Sequence, residues 1–149
     1  ARGPEEGARL LESLIRSGKA AERFKRMIEL QGGDPRVVDD PGRLPKAAAS
    51  RMAASPKTGY IGRLDARKVG EAAVILGAGR ATMEQSLDYG AGIYLDKKVG
   101  DPVKKGECVA RLYGSDAAKL EEAQACFKAA FRVDAKSPKP QPVVRRILK

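Results

Sequence analysis

At residues 99–107 the sequence reads Val99-Gly100-Asp101-Pro102-Val103-Lys104-Lys105-Gly106-Glu107. The glycine-aspartate pair at 100–101 and the glycine at 106 are typical of tight turns, because glycine tolerates backbone angles that other residues avoid. The valine between the two turns favours a strand. The stretch therefore predicts a tight corner between paired strands.

Strand and helix patterns continue on both sides of this corner. Asp65 is a natural N-cap for a helix that ends near Leu76, and Ser115 or Asp116 is a natural N-cap for a second helix. The second helix has an apolar stripe with helical spacing, formed by Leu120, Ala123, Phe127, Ala130 and Phe131. Strands are predicted within residues 58–64, 86–95, 97–113 (two strands) and 143–148. The order β-α-β-β-β-α-β predicts an α+β fold with a mixed or antiparallel sheet.

The N-terminal third has a different pattern. Apolar residues recur at helical spacing over residues 5–17 and again over 19–31, with Gly18 between the two segments. We expect a helical hairpin over residues 1–33, whose apolar faces must be buried against something else. Prolines and small residues then predict a linker with little regular structure over 34–56. The C-terminal domain is predicted over 57–149.

Composition excludes several kinds of chemistry within this chain. Histidine is absent, so no imidazole can serve as a base or as a metal ligand. Cys108 and Cys126 are too few and too far apart for a zinc site or a redox pair. No nucleophile, base and oxyanion site come together in the pattern. We therefore predict no catalytic residue, no metal and no cofactor site in these 149 residues, and the two cysteines favour a reducing, cytoplasmic location.

The formal net charge of +10 leaves nucleic acid as a possible partner. Basic residues outnumber acidic ones most clearly between Arg132 and Lys149, but no aromatic residue is interleaved there to stack on bases. A solvated basic face is the preferred interpretation, so nucleic acid is not expected as a partner. No apolar run is long enough for a membrane-spanning helix, and no membrane partner is expected.

Two glycine-rich stretches resemble phosphate loops only superficially. Gly77-Ala78-Gly79-Arg80 follows a helix, whereas phosphate loops usually precede one, so a helix C-cap is the better interpretation. Gly90-Ala91-Gly92 indicates a bulge or a close approach of two backbones.

The corner at 99–107 resembles the corresponding stretch of biotinyl and lipoyl carrier domains, which belong to a β-rich hammerhead or barrel-sandwich family. Those domains carry a modified lysine at a hairpin tip. Asp96-Lys97 is similar to the lipoyl pair, but it lies directly before the corner and has no adjacent methionine. A carrier or hammerhead module, modified at Lys97 or Lys98, therefore stays an alternative, as does a basic RNA-binding domain.

Taken in order, the motifs resemble the C-terminal part of the pyrimidine-nucleoside phosphorylase family, which includes thymidine phosphorylase. The matching stretches are Ser17-Gly18-Lys19-Ala20 with Phe24, Gln31-Gly32-Gly33-Asp34, Val37-Val38-Asp39-Asp40, Leu44-Pro45-Lys46-Ala47-Ala48, Gly59-Tyr60-Ile61, Leu76-Gly77-Ala78-Gly79-Arg80, Asp88-Tyr89-Gly90-Ala91-Gly92-Ile93, and 97–107. No single motif is decisive, but the series is specific.

This resemblance implies reversible phosphorolysis by the parent enzyme, a pentosyltransferase of pyrimidine salvage: pyrimidine nucleoside and phosphate give free base and pentose 1-phosphate. Family members are homodimers in which substrates bind between a helical and an α/β domain. The family's catalytic motifs lie upstream of the matched region. We therefore expect residues 1–33 to be the end of the α/β domain and 57–149 to be an α/β-hammerhead-like C-terminal domain. The expected partner is the rest of the parent chain.

The resemblance also makes this chain a piece of a larger enzyme that is inactive by itself and supports the active-site cleft. One short loop is predicted to have a direct role in substrate binding. Tyr113, Gly114, Ser115 and Asp116 precede a helix N-terminus, where an anion or a partner backbone could dock. We predict that this loop faces the cleft and becomes ordered when substrate binds.

Overall fold

The chain forms two compact units that divide between Pro45 and Lys46. The computed structural model describes residues 3–80, 82–140 and 144. Each unit is described separately below. No helix in these described ranges is long and apolar enough to cross a membrane.

The N-terminal unit consists of helices α1 (Pro4–Arg16) and α2 (Lys19–Leu30), followed by short 3-10 turns at Pro35–Val38 and Pro41–Arg43. Acidic residues in the first turn and a basic residue in the last turn of α1 suit the helix dipole. None of this unit's described residues is buried. The exposed large apolar side chains are Leu10, Leu11, Ile15, Phe24, Met27, Leu30 and Leu44. The apolar stripes predicted from the sequence therefore exist but are uncovered in this unit.

The C-terminal unit contains six strands and two helices among its described residues. In chain order they are β1 (Ala49–Ala54), β2 (Gly59–Leu64), α3 (Ala66–Leu76), β3 (Gly92–Leu95), β4 (Pro102–Val103), β5 (Cys108–Gly114), α4 (Ala117–Lys128) and β6 (Phe131–Asp134). One sheet has the order β1-β5-β3 and the other β4-β2-β6, and every described pairing is antiparallel. The predicted α+β class is confirmed, with antiparallel sheets.

A single apolar core joins the two sheets and both helices of this unit. Phe127 of α4 is its largest fully buried side chain, followed by Ile61, Leu112 and Val109 from the strands. The helix α3 contributes Ala72 and Leu76 to the same cluster. At roughly 25 cal/mol per Å² of apolar surface, such burial is the main force holding this unit together.

Both helices of this unit begin where the sequence predicts. The Asp65 carboxylate accepts hydrogen bonds from the backbone N–H groups of Arg67 and Lys68 at the start of α3. The Asp116 carboxylate does the same for Ala118 and Lys119 at the start of α4. Each cap satisfies donors that the first helical turn would otherwise leave unpaired.

Two of the sequence predictions for this unit are wrong in detail. Strand β1 lies inside the stretch 34–56 that composition assigns to an irregular linker, because β5 pairs with it along its whole length. Phe131 does not continue the α4 stripe, since α4 ends at Lys128 and Phe131 pairs with Leu64 in the second sheet. The strand predicted at 143–148 lies outside the described residues, apart from Val144.

Candidate functional site

The predicted loop Tyr113–Asp116 forms the junction between β5 and α4. Tyr113 and Gly114 are the last residues of β5, Ser115 is exposed, and Asp116 is the N-cap of α4. Gly114 faces the core, where an added Cβ would lie 3.4 Å from Leu76 Cδ2. The structure thus places the four residues in sequence along a sharp strand-to-helix turn.

Asp88 is the partner of this junction that the sequence did not predict. Ser115 Oγ donates a 2.8 Å hydrogen bond to Asp88 Oδ2, while Asp88 Oδ1 accepts one of 2.9 Å from the Gly90 backbone N–H. The Asp88 N–H donates to the carbonyl of Gly77, at the end of α3. Asp88 therefore ties together the end of α3, through its backbone N–H, and the loop at 88–91 and Ser115 next to α4, through its carboxylate.

Hydrogen bonding perturbs the acidity of this carboxyl group. The Ser115 hydroxyl, followed by the Gly90 N–H, holds the pKa of Asp88 below its ordinary value of 3.8. Both donors favour the charged carboxylate, which outweighs its partial desolvation. Asp88 is thus ionised at neutral pH, and its carboxylate holds the neighbouring segments together.

The helix N-terminus at this junction already holds an anion. Asp116 Oδ1 accepts from the N–H groups of Ala118, at 2.8 Å, and Lys119, at 3.1 Å. An external anion at this position would have to displace the Asp116 carboxylate. The predicted docking role of residues 113–116 stays a prediction, and these contacts limit it to ligands that reach Ser115 or the outer surface of the turn.

Asp88 is expected to support the fold most strongly near neutral pH. Because its pKa is lowered in the folded state, its contribution is present above the ordinary pKa and is lost as pH falls through the folded value. The difference in melting temperature between the unmodified chain and Asp88→Asn should therefore be larger at pH 7 than at pH 3. Calorimetry at both pH values measures this difference in melting temperature.

Substitution of an exposed serine in the segment between α3 and β3, which also contains Asp88, is the control. Ser86→Ala should leave the melting temperature unchanged at both pH values, whereas Ser115→Ala should lower it at pH 7 and raise the pKa of Asp88. If Asp88→Asn lowers the melting temperature as much at pH 3 as at pH 7, the carboxyl group does not stabilise the fold through its ionised form.

The two glycine-rich stretches have the structural roles that the sequence favours. Gly77 ends α3 with a left-handed backbone, at φ 98°, as a C-cap does. Gly90 lies so close to the incoming chain that an added Cβ would be 2.5 Å from both Lys46 C and Ala47 N. Gly90 therefore marks a close approach of two backbones.

Lys97 and the corner at 99–107 form a closed polar cluster. Lys97 Nζ lies 2.7 Å from Glu107 Oε1 and donates a 3.0 Å hydrogen bond to the Pro102 carbonyl. The Glu107 carboxylate raises the pKa of Lys97, and the Lys97 ammonium in turn lowers that of Glu107. Only 22% of the Lys97 side chain is exposed. A carrier lysine must be free and projecting, so this cluster disfavours the carrier interpretation at Lys97.

Both cysteines are free thiols, and Cys108 is not activated. Burial, followed by a hydrogen bond to Asp96, raises the pKa of Cys108, whose Sγ lies 3.2 Å from Asp96 Oδ2. Cys126 is half-buried and contacts the Lys68 carbonyl. Among the residues that the structure describes, no group of His, Cys, Asp and Glu side chains could hold a metal ion.

The fold and the candidate site are those of a small α+β domain with two antiparallel sheets. Hydrogen bonds within the domain fix the junctions between its strands and helices. Residues 60–134 match the family described as the pyrimidine nucleoside phosphorylase C-terminal domain. The chain belongs to this family.

Curated relatives agree with this assignment. Pyrimidine-nucleoside phosphorylases of Bacillus subtilis and Geobacillus stearothermophilus are each 44% identical over 111 residues, and that of Staphylococcus aureus strain USA300 is 42% identical over the same length. Each match covers 74% of this chain and 26% of the relative. The aligned region thus spans about a quarter of the length of these relatives.

Proposed function

We propose that this chain acts as the C-terminal part of a pyrimidine-nucleoside phosphorylase. The parent enzyme would convert a pyrimidine nucleoside and phosphate to free base and pentose 1-phosphate. The family match over residues 60–134, together with relatives of that name at 42–44% identity, carries the proposal. A homodimeric parent in the cytoplasm, working in pyrimidine salvage, is part of the same proposal.

The chain's own role in that enzyme is structural support. The polar side chains for which the sequence suggests a role are held by contacts within this chain. Ser115 bonds to Asp88, Asp116 to the α4 backbone, and Lys97 to Glu107. Side chains bonded within the unit stabilise it and are not free to take part in catalysis. We propose that the hammerhead-like C-terminal domain, bounded at 57–149 from the sequence, extends back to Lys46 and so includes β1. Tyr113–Asp116 stays the loop that we propose faces the cleft.

The remainder of the parent chain is the partner that this role requires. Leu11, Ile15 and Leu30 of α1 and α2 are 61–70% exposed. Burying a side chain of this size is worth about 1.5–3 kcal/mol, so their exposure is costly. The two helices, over residues 1–33, are proposed to be the last helices of the parent's α/β domain and to be covered by it.

A chimaera tests the proposal directly. The aligned segment of the Bacillus subtilis relative is replaced by the 111 residues of this chain that align with it. Phosphate-dependent release of uracil from uridine and of thymine from thymidine is then measured. We expect the chimaera to retain phosphorolysis, because the domain supplies support rather than catalytic groups. The relative truncated at the same point and this chain alone should both be inactive.

The controls separate folding from function. Dimerisation and melting of the chimaera are compared with those of the intact relative. A chimaera that folds and assembles like the relative but lacks phosphorolysis would overturn the proposal, as would phosphorolysis by this chain alone. Ser115→Ala within the chimaera should change the KM for phosphate or nucleoside if the loop at 113–116 reaches the cleft.

A further inference from the structure

A pocket of about 530 Å³ in the C-terminal unit is lined by residues from an edge strand of each sheet. Strand β1 is an edge of one sheet and β6 is an edge of the other, and residues of both line the pocket. The C-terminal half of α4 supplies a third wall. The volume lies in the range of about 300–1,000 Å³ that is typical of sites for small molecules.

The interior of this pocket is mainly apolar. Met52 of β1 and Phe131 of β6 line it with large apolar side chains, and Val133 of β6, which is almost fully buried, also borders it. Gln124 of α4 is held against the β1 edge, because its Nε2 donates a 2.6 Å hydrogen bond to the Met52 carbonyl. An apolar ring or short alkyl chain would gain from displacing water in this space.

The rim of the same pocket is cationic. Lys57, Lys128 and Arg132 line it. Asp134 neutralises Arg132 through two contacts of 2.9 Å. Within the described residues, the ammonium groups of Lys57 and Lys128 form no ion pair. Two positive charges without an ion-pair partner in the described residues therefore border an apolar space. Asp134 is the nearby carboxylate, and Arg132, followed by the charge of Lys57, lowers its pKa.

We propose that this pocket binds a small amphipathic anion, with an aryl or alkyl body against Met52 and Phe131 and its anionic head between Lys57 and Lys128. The apolar walls would provide most of the affinity, and the two lysines would select negative over positive ligands. The proposal does not depend on the phosphorolysis proposed above, since the pocket and its charges belong to the C-terminal unit alone.

The probe is 4-phenylbutyrate, and its matched control is the amine 4-phenylbutylamine. Each is titrated into the 149-residue chain while amide signals are followed by ¹H–¹⁵N NMR. We expect saturable shifts at Met52, Gln124 and Lys128 with the carboxylate, at a Kd on the order of 1 mM for a ligand of this size. The amine should produce no saturable shift at these positions.

Charge variants then identify the selecting groups. Exposed charge pairs suggest a loss of about threefold in affinity for each lysine, hence about tenfold for K57Q/K128Q. K98Q/K105Q removes the same net charge from lysines outside the pocket and should bind as the unmodified chain does. M52E, which places a carboxylate in the half-exposed wall, should abolish binding.

Three results would overturn the proposal. The first is equal binding of the amine and the carboxylate, and the second is an unchanged affinity in K57Q/K128Q. The third is the absence of saturable shifts at the pocket, including shifts confined to the exposed apolar residues of α1 and α2.

Discussion

Phe127→Ala is expected to destabilise the C-terminal unit by about 3–5 kcal/mol, the usual cost of truncating a buried phenylalanine. Phe127 is completely buried in α4, and its ring centroid lies 5.7 Å from that of Phe131. The substitution removes the contact with Phe131 and leaves a cavity in the apolar core. This loss is a large share of the about 5–15 kcal/mol by which domains of this size are usually stable. The melting temperature should therefore fall by on the order of 15 °C or more.

The measurement is urea unfolding followed by far-UV circular dichroism, since the chain contains no tryptophan. Phe127→Leu keeps most of the volume and should cost about 1–1.5 kcal/mol. Glu122→Ala, at an exposed position of the same helix, should stay within about 0.5 kcal/mol of the unmodified chain. A loss below about 1 kcal/mol for Phe127→Ala would show that this core does not support the unit.

The sequence predicts α3 and α4 well because the residues that determine these helices lie within or next to them. An aspartate before an apolar stripe gives both the start of each helix and its buried face, as Asp65 and Asp116 show. The same reasoning extends α4 too far. Ala130 and Phe131 continue the helical spacing, but Phe131 gains more from pairing with Leu64, which lies far away in sequence. Periodicity within a window contains no information about that partner.

Strand β1 is missed for a related reason. Its sequence, Ala49-Ser50-Arg51-Met52-Ala53-Ala54, has no β-branched or aromatic residue, so its intrinsic strand preference is low. It forms because β5, more than fifty residues later, offers a complete antiparallel partner from Gly114 to Cys108. Tertiary pairing here overrides local preference.

The same distinction applies to the candidate site: contacts between neighbouring residues are predictable from the sequence, and contacts between distant residues are not. Asp116 is predictable as a cap, and an aspartate two residues before Gly90 indicates the turn in which Asp88 accepts the Gly90 N–H. The Ser115–Asp88 bond joins positions 27 residues apart, and no local pattern in one sequence predicts it. The position of the loop was therefore predictable, whereas the group that fixes it was not.

Gly59→Ala is expected to destabilise the C-terminal unit by about 1–3 kcal/mol, because the sheet leaves no room for a methyl group at this position. A Cβ at residue 59 would collide with the Asp134 carbonyl oxygen and lie 2.9 Å from Val133 Cγ1. Both atoms belong to β6, which pairs with β2 immediately beyond Gly59. Relief requires the two backbones to separate, which weakens the pairing of Tyr60 with Asp134.

Gly70→Ala is the matched control, since it adds the same methyl group inside α3, where nothing lies within 4 Å of the new Cβ. Alanine is favoured over glycine in a helix by about 0.5–1 kcal/mol, so this variant should be more stable than the unmodified chain. The two substitutions are therefore expected to shift the urea midpoint in opposite directions. A Gly59→Ala variant as stable as the unmodified chain would mean that β2 and β6 do not approach each other as closely as described.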